Sequence, residues 1–325
     1  MNTAARTAHR GIGSLPRNKG FSWRKSARHE VRRWQLYALL VLPLAYLFIF
    51  HYGSMYGLLI AFKNFNAMKG ILGSDWVGMK WINKFISSHN FWQIVRNTLG
   101  LSMYSLLAGF PIPIILALAI NACQTRWFKK TVQMGTYAPY FLSVTVVVSM
   151  LYQFLAEKTG VVNTMLFSLT GERISFLTRP GIFQHLYVWS DVWQYTGYNS
   201  IIYIAALSSI DPSLHEAATV DGANKFQRTW HVDLPGILPT ATILLILRIG
   251  QIMNVGFEKV YLMQNPMNIS RSQIINTYIY QQSIGSQLPN FSYSTAVGLF
   301  NSVINFILLL TVNGVANRTN GSGMF

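Results

Sequence analysis

The chain has 325 residues, 51% of them hydrophobic and only 11% charged. Soluble domains carry about 25% charged residues, so this composition argues against a soluble globular protein and for a membrane protein. Twenty-six Lys and Arg against ten Asp and Glu leave a net charge of +16, and Cys123 is the lone cysteine, which excludes an internal disulfide and a Cys-based metal site. The seven histidines show no metal-ligand spacing, so no metal site is expected.

The first segment, residues 1–34, is a polar, basic tail: Arg6, Arg10, Arg17, Lys19, Arg24, Lys25, Arg28, Arg32 and Arg33 face one acid, Glu30. Because it abuts a long apolar run, it reads as a cytoplasmic anchor near anionic lipid rather than as a nucleic-acid arm, with a surface helix from about Ser22. A cleaved signal peptide is not expected, because the apolar run is too long and lacks a small-residue cleavage site.

Residues 35–316 read as six transmembrane helices, giving an all-α membrane fold. A span needs about 20 apolar residues. The runs are 36–62 (with Pro43), 97–121 (with Pro111 and Pro113), 131–155 (with Pro139), 185–207, 234–257 and 291–316. A Trp- and Gly-bearing loop, 63–96, follows the first. The hairpin 122–130 carries Arg126, Lys129 and Lys130, which the positive-inside rule puts in the cytoplasm with the tail. Both termini are then cytoplasmic, including the short tail 317–325. Segments 156–184 and 258–290 read as outer loops.

Between the fourth and fifth spans lies Asp211–Pro239, DPSLHEAATVDGANKFQRTWHVDLPGILP. Asp211 and Pro212 suit an N-cap and first helical position. Leu214, Ala217 and Ala218 share a face with small side chains. Gly222 stands where a positive φ or a close backbone approach is expected. A second short helix from Ala223 to about His231 would present Phe226 and Trp230 four residues apart. The spacing is Glu216-Ala217-Ala218, three residues, Gly222, nine residues, Val232, one residue, Leu234-Pro235.

That spacing resembles the EAA loop of permease subunits in binding-protein-dependent ABC importers, with Val232 where the family usually has Ile. The flanking runs YGLLIAFKNFNAMKGILGSDWVGMKWINKF and YSTAVGLFNSVINFILLL are similar to the polysaccharide and oligosaccharide subfamily, including the first permease subunit of alginate importers. The resemblance covers residues 36–316. It implies a fold of the maltose-transporter type and an EAA loop at 211–235 that docks an ATPase subunit through Glu216, Ala217, Ala218, Asp221, Gly222, Leu234 and Pro235. It also implies a second homologous permease subunit, two ATPase subunits that bind ATP and Mg, an extracytoplasmic solute-binding protein and a bacterial inner-membrane location. The substrate would be an oligo- or polysaccharide, moved by alternating access.

Polar groups within spans default to functional hypotheses. Asp191 lies roughly 10 Å from the outer end of the fourth span and Arg248 roughly 13 Å from that of the fifth, at about 1.5 Å per residue. Trp193, Gln194, Tyr195 and Asn199 extend the first stripe, Gln251 and Asn254 the second, and Asn301 and Asn305 lie on the sixth span. Aromatic faces beside amides and charges suit a sugar, with Trp189, Trp193 and Tyr195 available for stacking; an unpaired Arg248 favours an acidic one. The competing reading is structural: Asp191 and Arg248 neutralise each other, and the amides tie helices together.

No Gly-x-x-x-x-Gly-Lys-[Ser/Thr] phosphate loop is present, so no ATP hydrolysis, cofactor or catalytic residue is expected in this chain. Two rival classes remain. An intramembrane enzyme would need a zinc pair, facing acids or a nucleophile motif, none of which the sequence holds. A passive channel leaves the EAA spacing unexplained.

Overall fold

The computed structural model describes residues 34–320. The expected basic tail with its surface helix lies outside them, apart from residue 34, as do the last five residues. The described chain is made of helices and the turns that connect them, with one antiparallel pair, β1 (Lys63–Asn64) and β2 (Asp75–Trp76), in which Lys63 faces Trp76.

Of the described residues, those up to Gly57 form one compact unit and those from Leu58 onward another. In the first, α1 (Trp34–Tyr46) contains Pro43 and continues into a π-helical stretch over Leu47–Tyr52. In a membrane helix such local π adjustment helps absorb what a proline leaves unsatisfied.

The second unit contains α2 (Lys80–Ile86), α3 (Phe91–Gly109), α4 (Pro111–Ala122), α5 (Arg126–Tyr137), α6 (Val144–Leu155) and α7 (Val161–Thr170). It continues with α8 (Pro180–Ser208), α9 (Pro212–Val220), α10 (Lys225–Arg228), α11 (Leu234–Ile249), α12 (Phe257–Met263), α13 (Ile275–Gln282) and α14 (Phe291–Asn320). Among the described residues, four helical stretches are long and apolar enough to cross a membrane; a fifth qualifies if the bent pair α5 and α6 counts as one.

Three buried clusters hold this unit together. Phe85, Ile94, Ile275 and Val297 join α2, α3, α13 and α14. Leu101, Val188, Val260 and Ile274 join α3 and α8 to α12 and the start of α13. Ala117, Tyr203 and Ile237 join α4, α8 and α11. The 29-residue helix α8 therefore sits at the centre.

Within lipid, helices associate through close packing rather than through the hydrophobic effect, which favours small residues at crossings. Gly197 of α8 is such a point: a Cβ there would lie 2.1 Å from the carbonyl oxygen of Thr136 on α5.

Four expectations need correction. The third span is not one helix. It bends by 98° at Leu142-Ser143: α5 tightens into a 3-10 turn over Ala138–Phe141, which contains Pro139, Leu142 and Ser143 are extended, and Ser143 starts α6 by accepting from Val146 N. The fifth span begins earlier and ends earlier than 234–257. Helix runs from Lys225 to Ile249, and Gln251 and Asn254 lie in the turn that follows. The second short helix of the loop, placed at 223–231, is present from Lys225 as α10 but does not stand alone: it runs through a π-helical turn at Thr229–Asp233 into α11.

The segment 258–290 is likewise no loose loop. Val260, Met263, Ile274 and Ile275 are buried. Asn97 Nδ2 donates to the carbonyls of Ser270 (3.0 Å) and Gln273 (3.1 Å), and Ile275 N donates to Thr98 Oγ1 at 3.0 Å.

Candidate functional site

A cavity of ≈ 400 Å³ opens where the C-terminal half of α3, the middle of α8, the end of α11 and the turn before α12 meet. Its position follows from the local breaks. α3 stops at Gly109 ahead of Phe110-Pro111, and α11 stops at Ile249 ahead of Gly250. Polar side chains line the space beside the end of α11 and the proline-bearing joint at Phe110 that links α3 to α4. Ser102 Oγ donates to the carbonyl oxygen of Ile252, fastening the turn to α3.

Six of the ten residues expected on the substrate path line this cavity: Asp191, Tyr195, Asn199, Arg248, Gln251 and Asn254. The other four do not. Trp193 is half exposed on the outer face of α8. Gln194 is buried and donates to Leu142 O at 2.9 Å, bracing the break between α5 and α6. Asn301 donates to Asn254 Oδ1 at 2.9 Å, and Asn305 Oδ1 accepts from Met253 N at 3.0 Å, so both hold the turn from behind. Of the three aromatics expected to stack on a sugar, only Tyr195 reaches the cavity; Trp189 points away with Trp193. Tyr195 packs edge-on against Tyr140, whose ring stacks on Tyr198 at 3.7 Å.

The charges are arranged differently from the pair the sequence suggested. Asp191 Oδ1 lies 3.3 Å from Nζ of Lys259 on α12, not against Arg248. Arg248 reaches across to α3 and donates from Nη1 to Gly109 O at 3.3 Å. A Cβ on Gly109 would already stand 3.4 Å from that nitrogen, so the glycine makes room for the guanidinium. Among the described residues, no carboxylate lies within ion-pair distance of Arg248. Burial pushes the Lys259 ammonium below the usual lysine range, and Asp191 opposes that shift. Ser105 and Thr196 also line the cavity, with their hydroxyl oxygens buried and without a protein partner.

Lys259 was missed at the level of sequence because its segment reads as an outer loop; the one available signal was that an intramembrane Asp needs a cation. Ser105 and Thr196 carried no signal, since hydroxyls are common in helices.

The second candidate region is the loop after α8. Asp211 caps α9 by accepting from Ser213 N at 2.9 Å, and that N–H holds its carboxyl below the usual range. Gly222 has φ +78°. Asn224 and Gln227 then form a reciprocal capping box that starts α10. The knob is tied down by Arg228 Nη1 to Thr219 Oγ1 (3.0 Å), His215 Nε2 to Asp233 Oδ1 (3.4 Å), and Asn121 Nδ2 to the same oxygen (3.4 Å).

Glu216, Ala217, Asp221, Gly222 and Pro235 are exposed, while Ala218 and Leu234 are half buried. Ala218, Asp221 and Gly222 border a shallow depression of ≈ 290 Å³. Phe226 and Trp230 stack on each other yet remain 74% and 58% exposed.

Residues 95–321 match the family described as binding-protein-dependent transport system inner membrane component. The chain belongs to this family. The matched region contains both the cavity and the loop. Similar family members include the Protein LplB of Bacillus subtilis (strain 168), 42% identical over 96% of each chain. The polygalacturonan/rhamnogalacturonan transport system permease protein YteP of the same organism is 37% identical over 91% of each. Among solved structures, a bacterial ABC transporter involved in the import of the acidic polysaccharide alginate aligns with TM-score 0.83 and 38% identity. It covers 91% of this chain and 99% of that one. The same fold recurs at TM-score 0.83 and 37% identity in a bacterial alginate ABC transporter in complex with an alginate pentasaccharide-bound periplasmic protein. The chain is thus a multi-pass membrane permease, as its apolar helices and family together require.

Proposed function

We propose that this permease is one membrane-spanning subunit of an ATP-driven importer that moves an acidic oligo- or polysaccharide, of the uronic kind that alginate represents, into the cytoplasm. The observation that carries the substrate class is Arg248. It stands in the cavity wall without a carboxylate partner, while the cavity's acid, Asp191, is taken by Lys259. A guanidinium offers a planar fork of donors that matches a carboxylate, and Asn199, Gln251 and Asn254 supply groups for hydroxyls. Relatives whose names or structures concern polygalacturonan, rhamnogalacturonan and alginate support the same class.

In this reading α8 is a sixth span. At about 1.5 Å per residue its 29 residues exceed the ~30 Å of a bilayer core, and its polarity is explained by the cavity it lines. Both termini face the cytoplasm. The loop 211–235 then projects there, with Glu216, Ala217, Ala218, Asp221, Gly222, Leu234 and Pro235 forming the knob that enters a cleft of a separate ATPase subunit. Hydrolysis of MgATP belongs to two such subunits, so this chain is not itself an enzyme. A second homologous permease completes the pathway, and an extracytoplasmic solute-binding protein delivers the sugar. Lipid surrounds the spans, and nucleic acid has no role.

α10 and α11, joined by a π-helical turn at Thr229–Asp233, form one helical stretch from the knob at Lys225 to Arg248 at the cavity. A displacement of the loop by ATPase closure would therefore move a cavity wall directly, which is the requirement for alternating access.

The test is ATPase stimulation of the reconstituted complex by neutral and uronic oligosaccharides presented with the binding protein. Stimulation by uronic sugars is expected; stimulation by neutral sugars alone would exclude the acidic class.

A further inference from the structure

The ion pair behind the cavity wall has a one-sided geometry. Asp191 lines the cavity and its side chain is 34% exposed; Lys259, 3.3 Å away, does not line it and is 4% exposed. The lysine approaches from α12, with Nζ 5.2 Å from the ring centroid of Tyr187 on α8. The cation is therefore sealed between helices, and the carboxylate it neutralises is the part that faces the cavity. On the same lining, Asp191 and Arg248 are the two charged side chains.

We propose that Lys259 is a specificity-positioning residue: it holds and neutralises Asp191 from outside the cavity, so that Arg248 is the net charge a substrate meets. This rests on the acidic-substrate reading above. Without Lys259 the Asp191 carboxylate would be a bare anion in the wall. It would repel a uronate and compete with it for Arg248, since like charges in a partly desolvated site are strongly unfavourable. A neutral sugar would be little affected. A pair that only joined α8 to α12 would have no such selectivity.

The experiment measures direct binding of a uronic tetrasaccharide and its carboxyl-reduced counterpart to the complete complex in nanodiscs, without the binding protein. Wild type is expected to prefer the uronic sugar. Lys259→Met should lower that preference about tenfold, chiefly by weakening uronate binding, the scale of one uncompensated charge. Lys259→Arg should keep the preference. Lys259→Met combined with Asp191→Asn, which removes both charges, should restore it.

A wild-type preference unchanged in Lys259→Met would overturn the role of Lys259 while leaving the acidic reading intact. Equal wild-type binding of both sugars would overturn the acidic reading itself. Loss of assembly in Lys259→Met and in the double variant alike would overturn the charge role in favour of a purely structural one.

Discussion

Asn301 donates from Nδ2 to Oδ1 of Asn254 at 2.9 Å, fastening the last helix to the turn that closes the cavity. Asn305, four residues on, accepts from Met253 N in the same turn. Two amides at helical spacing thus hold a non-helical segment inside the membrane domain, where unpaired backbone is costly.

Replacing Asn301 with Leu should therefore loosen the turn. An interhelical hydrogen bond in a membrane protein contributes about 0.5–2 kcal/mol, so thermal unfolding of the solubilised permease should shift down modestly. Uptake of uronic and neutral sugars should fall together, because Asn301 supports the site without lining it. A selective loss of one sugar would place Asn301 in substrate contact instead.

Arg248→Ala removes the cavity's unpaired cation. Uronic oligosaccharide binding should weaken by at least about tenfold, since a hydrogen bond to a charged group contributes roughly 1.5–3 kcal/mol. Binding of the carboxyl-reduced sugar should change far less. Arg248→Lys should recover part of the loss, because it keeps the charge but not the planar fork. Equal losses for both sugars would show that the contact with Gly109 O is the arginine's whole role.

Gly222 has φ +78° and nothing within 4 Å of where a Cβ would stand. Any effect of substitution there comes from the backbone or from a partner, not from a clash within the chain. Gly222→Asn, which tolerates the left-handed region, should retain ATPase association in a co-purification assay. Gly222→Val should lose most of it while remaining in the membrane fraction, since a left-handed β-branched residue costs about 1–2 kcal/mol or more. Gly222→Asp should fail as well, by adding an anion to the docking surface beside Asp221. Full association of all three would remove the knob from the docking interface.

Trp230→Ala should weaken ATPase association without lowering the thermal stability of the isolated permease, because the side chain is mostly exposed and its stacking partner is the still more exposed Phe226. A large stability loss would instead mean that the aromatic pair serves the fold.

Gly197→Ala tests the packing of α8. Its Cβ would stand 2.1 Å from a backbone oxygen that cannot rotate away. Overpacking of this kind costs about 1–3 kcal/mol, so reduced yield of folded protein is expected, measured by monodispersity after solubilisation. An unchanged yield would mean that α5 moves freely against α8.

The loop was the most legible part of the chain. The cap at Asp211, the positive φ at Gly222 and the exposed Phe226 and Trp230 all depend on neighbours within a few residues. The cavity was half legible. Residues 191, 195 and 199 fall on one helical stripe at spacings of four, and 248 sits in the last turn of α11 with 251 three residues on in the turn after it, so the right elements were visible. What failed was the assignment of Trp193 and Gln194, which share the polarity of the stripe but not its direction, and of Asn301 and Asn305, whose amides are spent on the turn.

By itself the sequence determined the all-helical membrane character, most of the spans and the family, because apolar run length and motif spacing are local properties written along the chain. The tertiary structure decided which charges meet. Asp191 and Lys259 are 68 residues apart and come together because the chain after α11 folds back as buried short helices instead of leaving the membrane domain as a loop. Pairing across that distance depends on packing between segments, and no periodicity within either segment records it.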